Sequence, residues 1–385
     1  MGKPWFRHAI TAVAVGALTV PLCAAAAAGA APAKHHPSGP VVVVKGLNNP
    51  RQLSLVDGVE LLVAEAGKGG NIGPIDGPEG PTFIGTSGSV SAVWFPQFAH
   101  NQSPHRIATG LISGAGEDGS GATGSDGVSQ RHLGDPVYVQ ITAAPPGVLP
   151  ADVEARQSGK LVRLKHGGLA RVADITGYEA KHDPDHHGVD SNPYAVLARS
   201  HDELVADAAG NDVLSVDKHG KIRVFHVFPN VTTGACAGQA DPSPEFPGCN
   251  FVPTSLATDR WGNVYVGGLS SLTPGEAQVV KLDPSGKHVL RTWGGFTSVT
   301  GLAVGRDGSI YVSQLFAPES TPGGQGVVTK ISHNGHRTNV DVPLPAGLAL
   351  DGFGNVYVSA FSIAPSTGLG IPGIDSSGQV WRLHI

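Results

Sequence analysis

The segment from His182 to Tyr194, His-Asp-Pro-Asp-His-His-Gly-Val-Asp-Ser-Asn-Pro-Tyr, places three histidines and three aspartates within nine residues. Imidazole and carboxylate together are ligands for zinc and other transition metals, and His186 or His187 can carry a proton between reactants. Pro184 and Gly188 mark the segment as a loop, where clustered histidines ordinarily face water. A second constellation is dispersed along the chain. Arg51, Asp126, Tyr194, Thr254, Thr300 and Ala346 each stand two positions before a recurring apolar residue, and Asn49 and Asn192 stand four before. Glu65, Asp207 and Gln314 occupy a later, equivalent position. The side-chain oxygens of Glu65, Asp126, Asn192 and Asp207 suit Ca²⁺, a hard cation, which would polarise an ester carbonyl as a Lewis acid. Arg51, Asp190, His186 and His187 are secondary candidates. The competing role for all of these groups is hydrogen bonding to strand ends and to one another.

The elements that must hold these residues announce themselves by repetition. Trp261-Gly-Asn-Val-Tyr-Val266 returns as Arg306-Asp-Gly-Ser-Ile-Tyr-Val312 and as Phe353-Gly-Asn-Val-Tyr-Val358. Such internal repeats specify architecture before any other feature is read. Each copy has a short apolar run, a turn rich in Asp, Asn and Gly, and a Tyr-Val strand, which together are a hairpin signal. Third strands such as Gln278–Leu282 and fourth strands such as Val289–Trp293 follow. Four antiparallel strands in series make a propeller blade. The anchors Leu53, Val128, Val196, Leu256, Leu302 and Leu348 predict an all-β fold, a six-bladed β-propeller with four-stranded blades. The first three intervals are longer than the last two, so blades one to three carry the insertions, and the charged channel residues lie in the same blades. The chain enters on Val41–Val44, which resembles a fourth strand, and leaves on Gln379–Leu383, which resembles a third. Pairing the two would close the ring and remove two exposed sheet edges.

Residues 41–385 are therefore read as one propeller domain, preceded by a linker at 34–40 and a leader at 1–33. The leader has a basic start at Lys3 and Arg7, an apolar stretch from Ala9 to Val20 and a small-residue Ala31-Pro-Ala33, the anatomy of a secretory signal peptide. A secreted, extracellular protein free of the membrane after cleavage is expected. Cys236 and Cys249 are the pair left in the mature chain and predict a disulfide. The 54 glycines and 30 prolines fit a turn-dense β chain, and no long helical periodicity appears. The net charge of −5 comes without a basic stripe, which leaves nucleic-acid binding no electrostatic footing. Gly114-Ala-Gly-Glu-Asp-Gly119 satisfies G-x-G-x-x-G but is followed by Ser-Gly-Ala-Thr-Gly-Ser, which cannot open the helix that dinucleotide binding needs.

Gly46-Leu-Asn-Asn-Pro-Arg51, Leu62-Val-Ala-Glu-Ala-Gly67, Gly124-Ser-Asp-Gly-Val128, Val189-Asp-Ser-Asn-Pro-Tyr194 and Asp207-Ala-Ala-Gly-Asn211 resemble the ScyD/ScyE family of secreted bacterial propellers, with a broader likeness to NHL-repeat and gluconolactonase-like propellers. The resemblance spans residues 41–385 and departs at the His-rich loop and at the Cys236–Cys249 insertion. It implies the fold and secretion, and no catalytic residues. Two functional expectations follow. One is a binding protein that recognises a small molecule, glycan or protein on loops of blades one to three. The other is a Ca²⁺-type lactonase, another hydrolase or a lyase at the channel mouth. Convergence of the Glu65, Asp126, Asn192 and Asp207 oxygens on one point would favour the enzyme.

Overall fold

A computed structural model describes residues 39–77, 80–165, 168–241, 245–317 and 325–385. The leader at 1–33 and most of the 34–40 linker lie outside the described residues. The strands pair into six antiparallel sheets arranged as the six blades of a propeller. The innermost strands are Pro50–Val56, Ser125–Ser129, Pro193–Ala198, Pro253–Thr258, Val299–Val304 and Leu348–Leu350. Each contacts the next, and the last contacts the first. All six predicted anchors fall in them.

The ring closes as the termini foretold. Val41–Leu47 pairs antiparallel with Gly378–His384 and completes the last blade. Val43 and Val44 on that strand are fully buried, so closure rests on apolar packing as well as on backbone hydrogen bonds.

Successive strand residues point to opposite sheet faces, and in a ring both faces of a blade are covered. Leu62 and Ala64 pack towards blade 2, whereas Leu61 and Val63 pack towards blade 6. Val264 and Val266 face blade 3 while Tyr265 faces blade 5. Each of the six blade interfaces accordingly has its own apolar cluster.

The repeated turn has a specific physical cause. Asp259 Oδ1 accepts the backbone N–H groups of Trp261 and Asn263, both at 3.0 Å, and its Oδ2 accepts Asn263 Nδ2 at 2.8 Å. Asp351 holds Phe353, Asn355 and the Tyr357 hydroxyl in the same way. The aspartate thus serves as a local acceptor for turn donors, and the following Tyr-Val strand starts from a preset position.

Long connections gather on the face where the innermost strands begin. In blade 1, Ile72–Gly77 and the first half of Gly80–Trp94 form, with the end of His105–Ala115, a three-stranded arm beyond the blade. A helix, Ile175–His182, precedes blade 3; Asp174 caps it by accepting from Gly177 N. Cys236 and Cys249 are disulfide-bonded, buried, and brace the connection from blade 3 to blade 4. Contrary to expectation, insertions are not confined to blades one to three. The blade 6 connection after Phe361 also lies here, and its Ile363 carbonyl accepts from Gly121 N at 3.0 Å.

Candidate functional site

The beginnings of the inner strands form the channel mouth, and most of their polar groups have internal partners. Gln52 is nearly buried and reaches across the ring, its Nε2 donating to Thr254 O at 2.9 Å and Thr300 O at 2.8 Å. Thr254 and Thr300 each donate to the backbone of the next blade, at Val299 O and Pro345 O. Asn49 ties Gly67, Gly119 and Ala122 together. These groups act as staples between blades and loops.

The four principal candidates fall into three groups: Glu65, Asp126, and Asn192 with Asp207. Glu65, fully buried, accepts Arg106 through Nη2 at 2.7 Å and Nε at 3.1 Å, Ser91 Oγ at 2.6 Å and Asn48 N at 2.8 Å. Such bidentate pairing with a guanidinium is strong and geometrically demanding. Asp126, also fully buried, lies 3.5 Å from Arg51 Nε and accepts Gly124 N at 3.1 Å. Burial raises its pKa to about 6, against the opposing pull of Arg51 and the Gly124 N–H. The Arg51 guanidinium also donates to Ala122 O, and burial pushes the neighbouring Tyr194 hydroxyl up to about 12. Asn192 accepts Thr142 Oγ1 at 2.7 Å. Asp207 accepts Asn192 N at 2.7 Å, Gly210 N at 3.2 Å and Ser191 Oγ at 2.6 Å. Asn192 and Asp207 therefore meet through backbone, while Glu65 and Asp126 belong to other clusters. Among the secondary candidates, His186 is exposed, and His187 is half-buried with its ring 4.0 Å from that of Phe246.

Two features on this face emerge only in three dimensions. One is a cleft of about 180 Å³ between the blade 1 arm and the start of blade 2. Ile75, Ile84, Ile112 and Ala144 supply apolar wall, and Thr82, Thr123, Thr142 and Asn192 supply hydroxyl and amide groups.

The second is a carboxylate cluster at the rim of blade 3. Glu179 comes from the helix Ile175–His182, and Asp183 and Asp185 from the turn after it; their oxygens lie within 4.8 Å of one another. Asp207 and Asp212 are directly paired residues at the two ends of the next hairpin turn. Burial drives Glu179 up to about 9, reinforced by Asp207, Asp185, Asp183 and Asp190. Burial also raises Asp185 to about 7 and Asp207 to about 6, each opposed first by a hydrogen bond, from His187 N and Ser191 Oγ respectively. Asp212 is pushed well above the ordinary range by burial and by Asp207 and Glu179.

The sequence pattern picks out Asp183, Asp185 and Asp190 in the His-rich loop, and Asp207 on its strand, but it misses Glu179 and Asp212. The available signal is the Asp207-Ala-Ala-Gly-Asn-Asp212 turn, which brackets a hairpin with two carboxylates.

No family model and no curated protein matches the chain. Solved structures do match, at low identity. A protein assigned as an oxidoreductase (glucose dehydrogenase), from Thermus thermophilus, is 15% identical with a TM-score of 0.50, covering 89% of this chain and 98% of that one. The PQQ-bound aldose sugar dehydrogenase of Streptomyces coelicolor is 14% identical (TM-score 0.49; 89% and 96% covered). A protein assigned as a gluconolactonase is 12% identical (TM-score 0.46; 90% and 93% covered). At 15% identity the first of these matches shows the fold alone, and a fold does not imply a function.

Proposed function

We propose that this protein is a secreted binding propeller that takes a small, uncharged molecule, or the end of a glycan, in the cleft between the blade 1 arm and blade 2. The single observation behind this reading is the cleft, with its apolar walls, a few hydroxyl and amide groups and one carboxylate, Asp76, the usual composition of a small-molecule site. Its volume of about 180 Å³ is below that of drug-sized sites, which suits a compact ligand or one terminal sugar. Supporting the binding reading further, Glu65 and Asp126 are tied to partners apart from the Asn192–Asp207 pair, so the four residues do not make one ready-made donor set at the channel mouth. Secretion rests on the leader anatomy, and the Cys236–Cys249 disulfide suits an oxidising compartment.

A thermal-shift screen of the mature chain against neutral sugars and lactones tests this. A hit should stabilise the parent protein and fail to stabilise Thr123→Trp, whose side chain fills the cleft. A ligand that stabilises both proteins equally would rule out the cleft as its site. Lactone turnover that disappears in Asp207→Asn would instead establish the hydrolase.

A further inference from the structure

The carboxylate cluster on blade 3 takes in Asp207 from the channel-mouth candidates but not Glu65, Asp126 or Asn192, and its three leading residues, Glu179, Asp183 and Asp185, do not line the cleft. Glu179 and Asp212 are fully buried, and all four of their carboxylate oxygens lack a hydrogen-bond partner. No lysine or arginine among the described residues forms an ion pair with Glu179, Asp207 or Asp212. An imidazole does approach the cluster, with His187 Nδ1 3.4 Å from Asp185 Oδ2. Buried, unpartnered carboxylates are strongly disfavoured, and native proteins leave few such atoms without a compensating group. Gly210 shows how close the acids come. A Cβ there would lie 3.3 Å from Glu179 Oε2 and 3.2 Å from Asp207 Cγ.

We propose that Glu179, Asp183 and Asp185, backed by Asp207 and Asp212, bind one divalent cation of the Ca²⁺ class. Donors about 2.3–2.6 Å from a Ca²⁺ ion can stand at most about 5 Å apart, and the three leading oxygens satisfy that within 4.8 Å. The donor set is oxygen only, which selects hard cations over zinc or copper. Its carboxylates come from a helix, a turn and a hairpin, and this irregular, charge-rich arrangement suits Ca²⁺ better than the strict octahedron of Mg²⁺. The ion would pin the helix Ile175–His182 and the following loop to the Asp207–Asp212 hairpin. Ser191 and Asn192 hang from Asp207, and Asn192 lines the cleft, so the cation would brace one wall of it.

The test uses the full mature chain stripped of metal with a chelator. Calorimetric titration should find one Ca²⁺ per chain, and the melting temperature should rise by roughly 4 °C at about a hundredfold excess over Kd. Tb³⁺ in place of Ca²⁺ should luminesce on tyrosine excitation, because Tyr178 adjoins Glu179 in sequence. Glu179→Gln should weaken Ca²⁺ affinity at least about tenfold, and Asp183→Asn, on the half-buried turn, gives the same reading should the first variant misfold. Asp152→Asn, exposed on the helix Ala151–Gln157 between two strands of blade 2, should bind as the parent does. A folded, stripped protein that takes up no Ca²⁺ at millimolar concentration overturns the proposal. So does a preference for Zn²⁺ or Mg²⁺, or undiminished binding by both cluster variants. None of these outcomes depends on a ligand in the cleft.

Discussion

Asp126 shows how one buried acid can matter without touching a ligand. Its carboxyl is enclosed at the channel mouth with Arg51 at 3.5 Å, and burial outweighs that pairing, lifting the pKa to about 6. The folded state holds the proton more tightly than the unfolded chain does, so the contribution to stability is full below pH ~4 and is lost as the pH rises through about 6. Two pH units correspond to about 3 kcal/mol. The stability gap between the parent protein and Asp126→Asn should therefore move by about that much, with the parent losing ground, between pH 4 and pH 7. Urea unfolding at several pH values measures it, and a gap that does not vary with pH would refute the assignment. Neighbouring acids cancel in the comparison, which is why the difference is the useful quantity. That Asp126 sits two residues before an anchor was legible in the sequence. That Arg51 and Tyr194 would enclose it was not, because those contacts join strands of three blades.

At the scale of elements, the hairpins explain themselves and the insertions do not. Asp259 and Asp351 organise turns through bonds to residues two to six positions on, so the recurring motif carries its own structural cause. The arm on blade 1 is different. Gly80–Trp94 runs for 15 residues and pairs in its first half with Ile72–Gly77, outside the blade; the interval between anchors showed extra length but not the direction it takes. The disulfide lies between these cases, since the pairing was readable from an even cysteine count. It closes a loop with a sequence separation of 13. Replacing both cysteines with alanine should cost up to about 3 kcal/mol by the chain-entropy account. Proteolysis of the blade 3 to blade 4 connection should quicken, as seen by limited digestion. Unchanged stability and unchanged cleavage would mean that Val231 and the surrounding apolar contacts hold the connection without the bridge.

For the whole molecule, closure is the decisive feature. Val41–Leu47 is the outermost strand of a blade whose other strands come from the opposite end of the chain. Removing it uncovers Gly378–His384 as a free edge and strips Val43, Val44 and Leu47 from the interface of blades 6 and 1. Burying three such side chains contributes more than about 5 kcal/mol, a large fraction of the net stability of a domain. A chain beginning at residue 48 should aggregate or lose cooperative unfolding, whereas one beginning at 39 should unfold cooperatively. Size-exclusion chromatography with denaturant unfolding distinguishes the two. A stable monomer from residue 48 would show that the ring tolerates an open blade.

The sequence by itself determined the ring: six anchors, alternating apolar residues, self-capped turns and complementary ends. Each of those signals is local or periodic, and a period of two sends neighbours such as Leu61 and Leu62 to opposite blade faces whatever else surrounds them. Only the tertiary structure decided which charges meet. Glu65 found Arg106, Asp126 found Arg51, and Glu179 joined Asp207 and Asp212 from elements separated along the chain. Burial and partner choice are properties of packed neighbours, and a carboxylate's chemistry depends on both.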